Sequence, residues 1–104
     1  MKRRLYLKDY QDLIRTGKKL YSTYYLIYYA PSDAAFVKTG IKKKVGSAVE
    51  RNYEKRVMRA VLNRLTFRKN WLILAILLKK SPLSFEEKKE LLIRTCRPLL
   101  QLER

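Results

Sequence analysis

The sequence predicts a small α/β fold in the order helix, two or three strands, helix, strand, helix, and three observations carry that prediction. Helical periodicity alternates with β-forming composition along the chain. A long basic helix, opened at Ser47, separates two strand-like stretches. The second of these, Trp71 to Leu78, is apolar at every position, which suits a central strand covered on both faces.

Each element has its own justification. Leu5 to Thr16 sets Leu5, Tyr10, Leu13 and Ile14 at roughly helical spacing and stops at Gly17, a residue suited to a helix C-terminus. From Lys18 to Ala30 β-formers dominate, and Pro31-Ser32-Asp33 closes the run with turn residues; this is one long strand or two short ones. Ala34 to Lys42 alternates like a half-buried strand. The basic helix then runs from Ser47 to about Leu65, with Val49, Tyr53, Val57, Ala60 and Val61 expected toward the core. After Ser81-Pro82, Ser84-Phe85-Glu86-Glu87 reads as a capping box, and the helix it opens ends near Pro98. If the strands flanking the basic helix are parallel neighbours, that helix is a β-α-β crossover.

At 104 residues and 47% hydrophobic content, residues 1–104 are expected to form one domain. The net charge of +16 is far from ordinary and is unevenly spread. Between Ile41 and Lys69 stand ten cations against two anions, Glu50 and Glu54. Arg51, Lys55 and Arg59 repeat at i, i+4 and i+8 along one helical stripe, widened by Asn52 and Arg56. Such a face meets a polyanion, and nucleic acid is the leading class. Asn52 either bonds a phosphate, ribose or base edge, or braces the helix entry. The crowded tyrosines from Tyr21 to Tyr29 either pack beneath helices or stack on unpaired bases.

Other chemistries find little support. The chain has no histidine, so the usual general base near neutral pH is missing. It shows no P-loop, no paired cysteines and no nucleophile-base constellation. The single cysteine, Cys96, sits among leucines and reads as a buried thiol in a reducing compartment. Asp9 and Asp12 lie close on the first helix, either capping it or holding Mg²⁺ through water. Met1-Lys2-Arg3-Arg4 does not open a secretory signal, and no apolar run is long enough to span a bilayer, so a cytoplasmic chain is expected.

Three segments together resemble the protein subunits of bacterial ribonuclease P. They are Asp9-Tyr10-Gln11-Asp12-Leu13-Ile14 leading to Gly17-Lys18, the strand end Ile41-Lys42-Lys43-Lys44-Val45-Gly46, and the helix Gly46 to Arg59 with its Arg51-Asn52-Tyr53-Glu54-Lys55-Arg56 centre. Tyr53 stands where the family has the second arginine of an Arg-Asn-Arg motif, Ala60 where an acid or amide is common, and Ile14 where it has an aromatic. The resemblance implies an α/β two-layer sandwich with a mixed sheet, shared with a ribosomal-protein domain, and a left-handed β-α-β crossover. It implies an accessory protein of a ribozyme endoribonuclease that removes 5′ leaders from precursor tRNA. Mg²⁺, held mainly by the RNA subunit and the substrate, would carry the chemistry. Lys43, Lys44, Arg51, Asn52, Lys55, Arg56 and Arg59 would contact ribonuclease P RNA. Tyr10, Ile14 and Tyr25 would line a cleft for the precursor tRNA leader. No membrane or obligate protein partner is implied. The alternatives are a ribosomal or other structured-RNA-binding protein of similar fold, a stand-alone nuclease, and a peripheral membrane binder.

Overall fold

A computed structural model describes residues 7–42 and 45–101, with side chains from residue 10 onward. The elements are α1 (Leu7–Thr16), β1 (Lys18–Tyr21), β2 (Tyr25–Pro31), β3 (Phe36–Ile41), α2 (Ala48–Leu62), β4 (Trp71–Leu77) and α3 (Phe85–Cys96). A short 3-10 turn, Arg97–Leu99, follows α3, with Pro98 inside it. The ambiguous tyrosine-rich run is two strands. Ser22 turns the chain between them, its amide bonding the Tyr25 carbonyl and its hydroxyl accepting from the Tyr25 amide.

One mixed sheet forms in the spatial order β1-β2-β4-β3. β1 and β2 are antiparallel, as are β2 and β4, whereas β3 and β4 are parallel. α2 therefore joins two parallel neighbours as a β-α-β crossover. β4 is central, as its unbroken apolar sequence predicts.

Strand alternation divides the sheet into two faces. Tyr25, Ile27, Ile73, Ala75 and Leu77 face α2 and α3, where Met58, Val61, Leu62, Leu92 and Cys96 close the main core. Tyr28 and Leu74 face the other way and meet Leu13 of α1 in a second, smaller cluster. The two-layer sandwich is thus sheet against α2 and α3, with α1 laid over part of the opposite face.

Two glycines have steric reasons. Gly17 ends α1 because a Cβ there would stand 2.5 Å from the Leu13 carbonyl oxygen, which its own amide bonds at 2.7 Å. Gly46 takes φ +62° at the turn into α2. Both predicted N-caps form reciprocal capping boxes, Ser47 with Glu50 and Ser84 with Glu87. Among the described residues, no helix is long and apolar enough to cross a membrane.

Candidate nucleic-acid interfaces

The pose of α2 decides what its cations present. Glu54, Val57, Met58, Val61 and Leu62 form its buried face. The expected face, Val49-Tyr53-Val57-Ala60-Val61, is therefore off by about one residue position of helix rotation. Val49 is 76% exposed, Tyr53 is 45% exposed, and Ala60 lies on the surface. The cause is Glu54. A carboxylate reads as solvent-facing in sequence, yet both its oxygens accept from Lys88 Nζ of α3 at 2.9 Å. That partner lets the helix turn Met58 and Leu62 fully into the core.

Rotation also sorts the stripe. Asn52, Arg56 and Arg59 are exposed, while Arg51 and Lys55 are half-buried along one flank. Asn52, Lys55, Arg56 and Arg59 together line a shallow depression of about 350 Å³. Arg51 Nη1 donates to the Gly46 carbonyl at 3.0 Å, so Arg51 braces the helix entry. The Asn52 side chain makes no hydrogen bond to the described residues. Lys43 and Lys44 lie outside the described residues.

Neither acid of α2 neutralises this surface. Glu54 is buried with Lys88, and Glu50 pairs with Lys80 at 3.2 Å. The Lys80 hydrogen bond, with the Ser47 amide, holds the Glu50 carboxyl below its ordinary range, so Glu50 stays charged and engaged. Tyr53 lies over the buried ammonium, with Lys88 Nζ 5.3 Å from its ring centroid.

The second surface is the sheet face beneath α1. One row across it reads Lys19, Tyr28, Leu74, Lys38, each residue beside the next on a neighbouring strand. Lys19 Nζ sits 5.6 Å from the Tyr28 ring, and Lys38 Nζ 4.8 Å from the Tyr10 ring of α1. The next row runs Tyr21, Leu26, Ile76, Gly40, and Tyr21 is largely exposed. Tyr10 is half-buried against the Leu13-Tyr28-Leu74 cluster of this face, whereas Ile14 on the same helix is exposed.

Tyr25 does not belong to the cleft. Its side chain is wholly buried on the α2-α3 face, and its hydroxyl finds no hydrogen-bond partner among the described residues. Burial, reinforced by the Glu54 charge, pushes its phenol pKa well above the ordinary value. The misplacement is one of strand parity, since a shift of one residue exchanges the faces. Lys19 and Lys38 are the residues of this face that the sequence reading did not name, and Tyr28, one of its crowded tyrosines, packs beneath α1. The alternation of Val37, Lys38 and Thr39 carried the signal for Lys38. Nothing in the sequence says which parity α1 covers.

A family model described as Ribonuclease P matches residues 2–100 of this chain. The chain belongs to the ribonuclease P protein family. Among its relatives, the ribonuclease P protein component of Mycoplasma mobile is 33% identical, over 77% of this chain and 84% of that protein. The component from Mesomycoplasma hyopneumoniae is 29% identical, over 92% of this chain and 90% of that one. The solved ribonuclease P protein of Thermotoga maritima superposes with a TM-score of 0.78 at 23% identity, over 96% of this chain and all of that one. The Staphylococcus aureus structure gives 0.78 at 18% identity, over 91% and 92% of the two chains. At these identities the structures establish the fold. Family membership makes the chain the protein subunit of a ribonucleoprotein endoribonuclease that serves tRNA 5′ processing, with ribonuclease P RNA as its partner.

Among the described residues, no group of three or more acids, cysteines or histidines is placed to hold a metal ion. Asp12 accepts from Arg15 at 2.7 Å, and the Asp9 side chain is outside the described set.

Proposed function

We propose that this chain acts as a single RNA-binding unit with two working surfaces: the α2 stripe on ribonuclease P RNA and the α1-side cleft on the 5′ leader of precursor tRNA. The observation that carries the reading is the α2 surface, whose cations stand together while both nearby acids are engaged elsewhere. Each phosphate neutralised there releases counterions, giving affinity that falls steeply with salt. Arg56 and Arg59 add forked contacts to phosphate oxygens that lysine cannot make. The family resemblance assigns Lys43 and Lys44 to the same RNA partner.

In the cleft, half-buried Tyr10 and exposed Tyr21 offer aromatic surface to unpaired bases, while Lys19 and Lys38 attract the leader's phosphates. Ile14 adds an apolar rim. A precursor is gripped by both its body and its leader, and processed tRNA, lacking the leader, is released. The protein screens repulsion between two RNAs and so lowers the Mg²⁺ requirement, with the ions held by RNA and substrate. The chain works in the cytoplasm.

The test is precursor-tRNA cleavage at limiting Mg²⁺ by a bacterial ribonuclease P RNA, with and without the protein. Protein-dependent cleavage at the mature 5′ end is expected, and none from protein alone. Replacing Arg51, Lys55 and Arg59 with alanine should weaken RNA binding and flatten its salt slope by about 2 to 3. An unchanged slope would remove the stripe from the interface.

A further inference from the structure

Beyond the stripe and the cleft, a third cationic surface lies where α3 ends. Arg68, from the loop after α2, and Arg94 and Arg97, from the end of α3, line one open groove of about 680 Å³. Pro98, Leu100 and Gln101 complete its walls, and all three arginines are exposed. No acid lines this groove, and no described carboxylate pairs with any of the three guanidinium groups. The groove shares no residue with the depression on α2.

Arg68 is held in place before any ligand arrives. Its Nε donates to the Pro98 carbonyl at 3.1 Å, and its guanidinium lies 5.0 Å from the Trp71 ring centroid. The backbone repeats the tie, with the Arg68 amide bonded to the Leu99 carbonyl at 3.0 Å. Trp71 is itself fixed, buried and donating through Nε1 to the same Leu99 carbonyl. Lys69 Nζ also lies over Trp71, at 4.6 Å, and adds a fourth cation beside the groove. With Nε occupied, the terminal nitrogens of Arg68 remain to donate outward.

Three like charges around one concave, largely apolar wall focus positive potential, and their repulsion is relieved only by an anion. A single small anion would engage only part of so wide a groove. A polynucleotide backbone brings successive phosphates to the guanidinium groups and sugar or base surface to Pro98 and Leu100.

We infer that the Arg68-Arg94-Arg97 groove is a second docking site for the backbone of ribonuclease P RNA, separate from the α2 stripe. The RNA subunit is the favoured source because the groove is built on the α2-α3 layer, whereas the leader cleft opens on the opposite sheet face. This rests on the RNA-binding role proposed above and adds a distinct contact region to it.

The experiment compares wild type, Arg94→Gln/Arg97→Gln and Arg51→Ala/Lys55→Ala/Arg59→Ala. Each protein is titrated against transcribed bacterial ribonuclease P RNA over a salt series and footprinted with hydroxyl radicals. Arg68 is left in place because it packs on Trp71, and circular dichroism checks that the variants fold. The double variant should flatten the salt slope by about 1 to 2 and lose protection at RNA positions that the α2 variant still protects. An unchanged slope with an unchanged footprint overturns the groove assignment while leaving the stripe intact. Loss of protection on precursor tRNA alone, with the RNA-subunit footprint retained, also overturns it. Failure of wild type itself to bind the RNA overturns both readings.

Discussion

On one face of the sheet Tyr25, Ile27, Ile73 and Leu77 are sealed beneath α2 and α3; on the other, Tyr28 and Leu74 have Leu13 of α1 against them and lysines at either end of their row. The residues are alike in kind, and Tyr25 and Tyr28 sit three apart on one strand. Both are buried, and what separates them is which helix covers them. α1 has ten residues, so it is roughly 15 Å long. A seven-residue strand such as β4 runs roughly 23 Å. One short helix cannot close the face that two longer helices close opposite. What stays only half-buried there is the rest of that face, Leu26, Leu72 and Ile76, whereas Ile27, Ile73 and Leu77 opposite are core.

The sharpest way to break this comparison is to truncate one tyrosine from each face. Tyr25→Ala should cost about 3–5 kcal/mol in a denaturant melt, because it empties a fully buried site. Tyr10→Ala should leave the fold largely intact and weaken leader-bearing precursor about tenfold relative to mature tRNA, the scale of one lost base stack. Equal losses on both substrates would make Tyr10 structural and the cleft idle.

A second effect of similar size concerns the join between α2 and α3. Glu54 and Lys88 are 10% and 7% exposed, so their bidentate pair is a buried one. Lys88→Met leaves a carboxylate without its partner and should destabilise by about 3–5 kcal/mol, whereas pairing it with Glu54→Leu should recover most of the loss. A double variant as unstable as the single would mean that the pair specifies the rotation of α2. Restored stability with weakened RNA binding would mean that it aims the stripe.

The smallest effect is chemical. Burial pushes the Cys96 thiol from its ordinary 9.0 up to about 12. Below pH 9 the folded and unfolded chains both keep the proton, so nothing changes. Between pH 9 and about 12 the unfolded chain loses it and the native one retains it, so stability falls as pH rises, by up to about 1.4 kcal/mol per unit. Buried Tyr25 shifts in the same direction. The stability advantage of wild type over Cys96→Ala in urea melts should therefore shrink steadily above pH 9. A constant gap would show that the thiol ionises as readily in the folded chain as in the unfolded one.

Much of the fold was legible because its signals are local. Ser47 and Ser84 announce helix starts through hydrogen bonds spanning three residues, and the unbroken apolar run of β4 announces burial on both faces. The α2 stripe was equally legible, since i, i+4 spacing needs only a helix. The limits were set by partners distant in sequence. Val49 and Tyr53 looked like core until Lys88, 34 positions beyond Glu54, supplied the counter-charge that rotates α2. Arg68 and Arg97 looked like scattered surface charge until the 3-10 turn brought Pro98 beside the loop leading into β4.

By itself, then, the sequence determined the order of the elements, the caps, the cationic stripe and the family, because each is written in residue types and spacings within one element. Tertiary structure alone decided which parity of β2 faces the cleft, which flank of α2 meets solvent, and which arginines share a groove. Those are relations between segments, and they depend on packing and on the pairing of charges that no local pattern encodes.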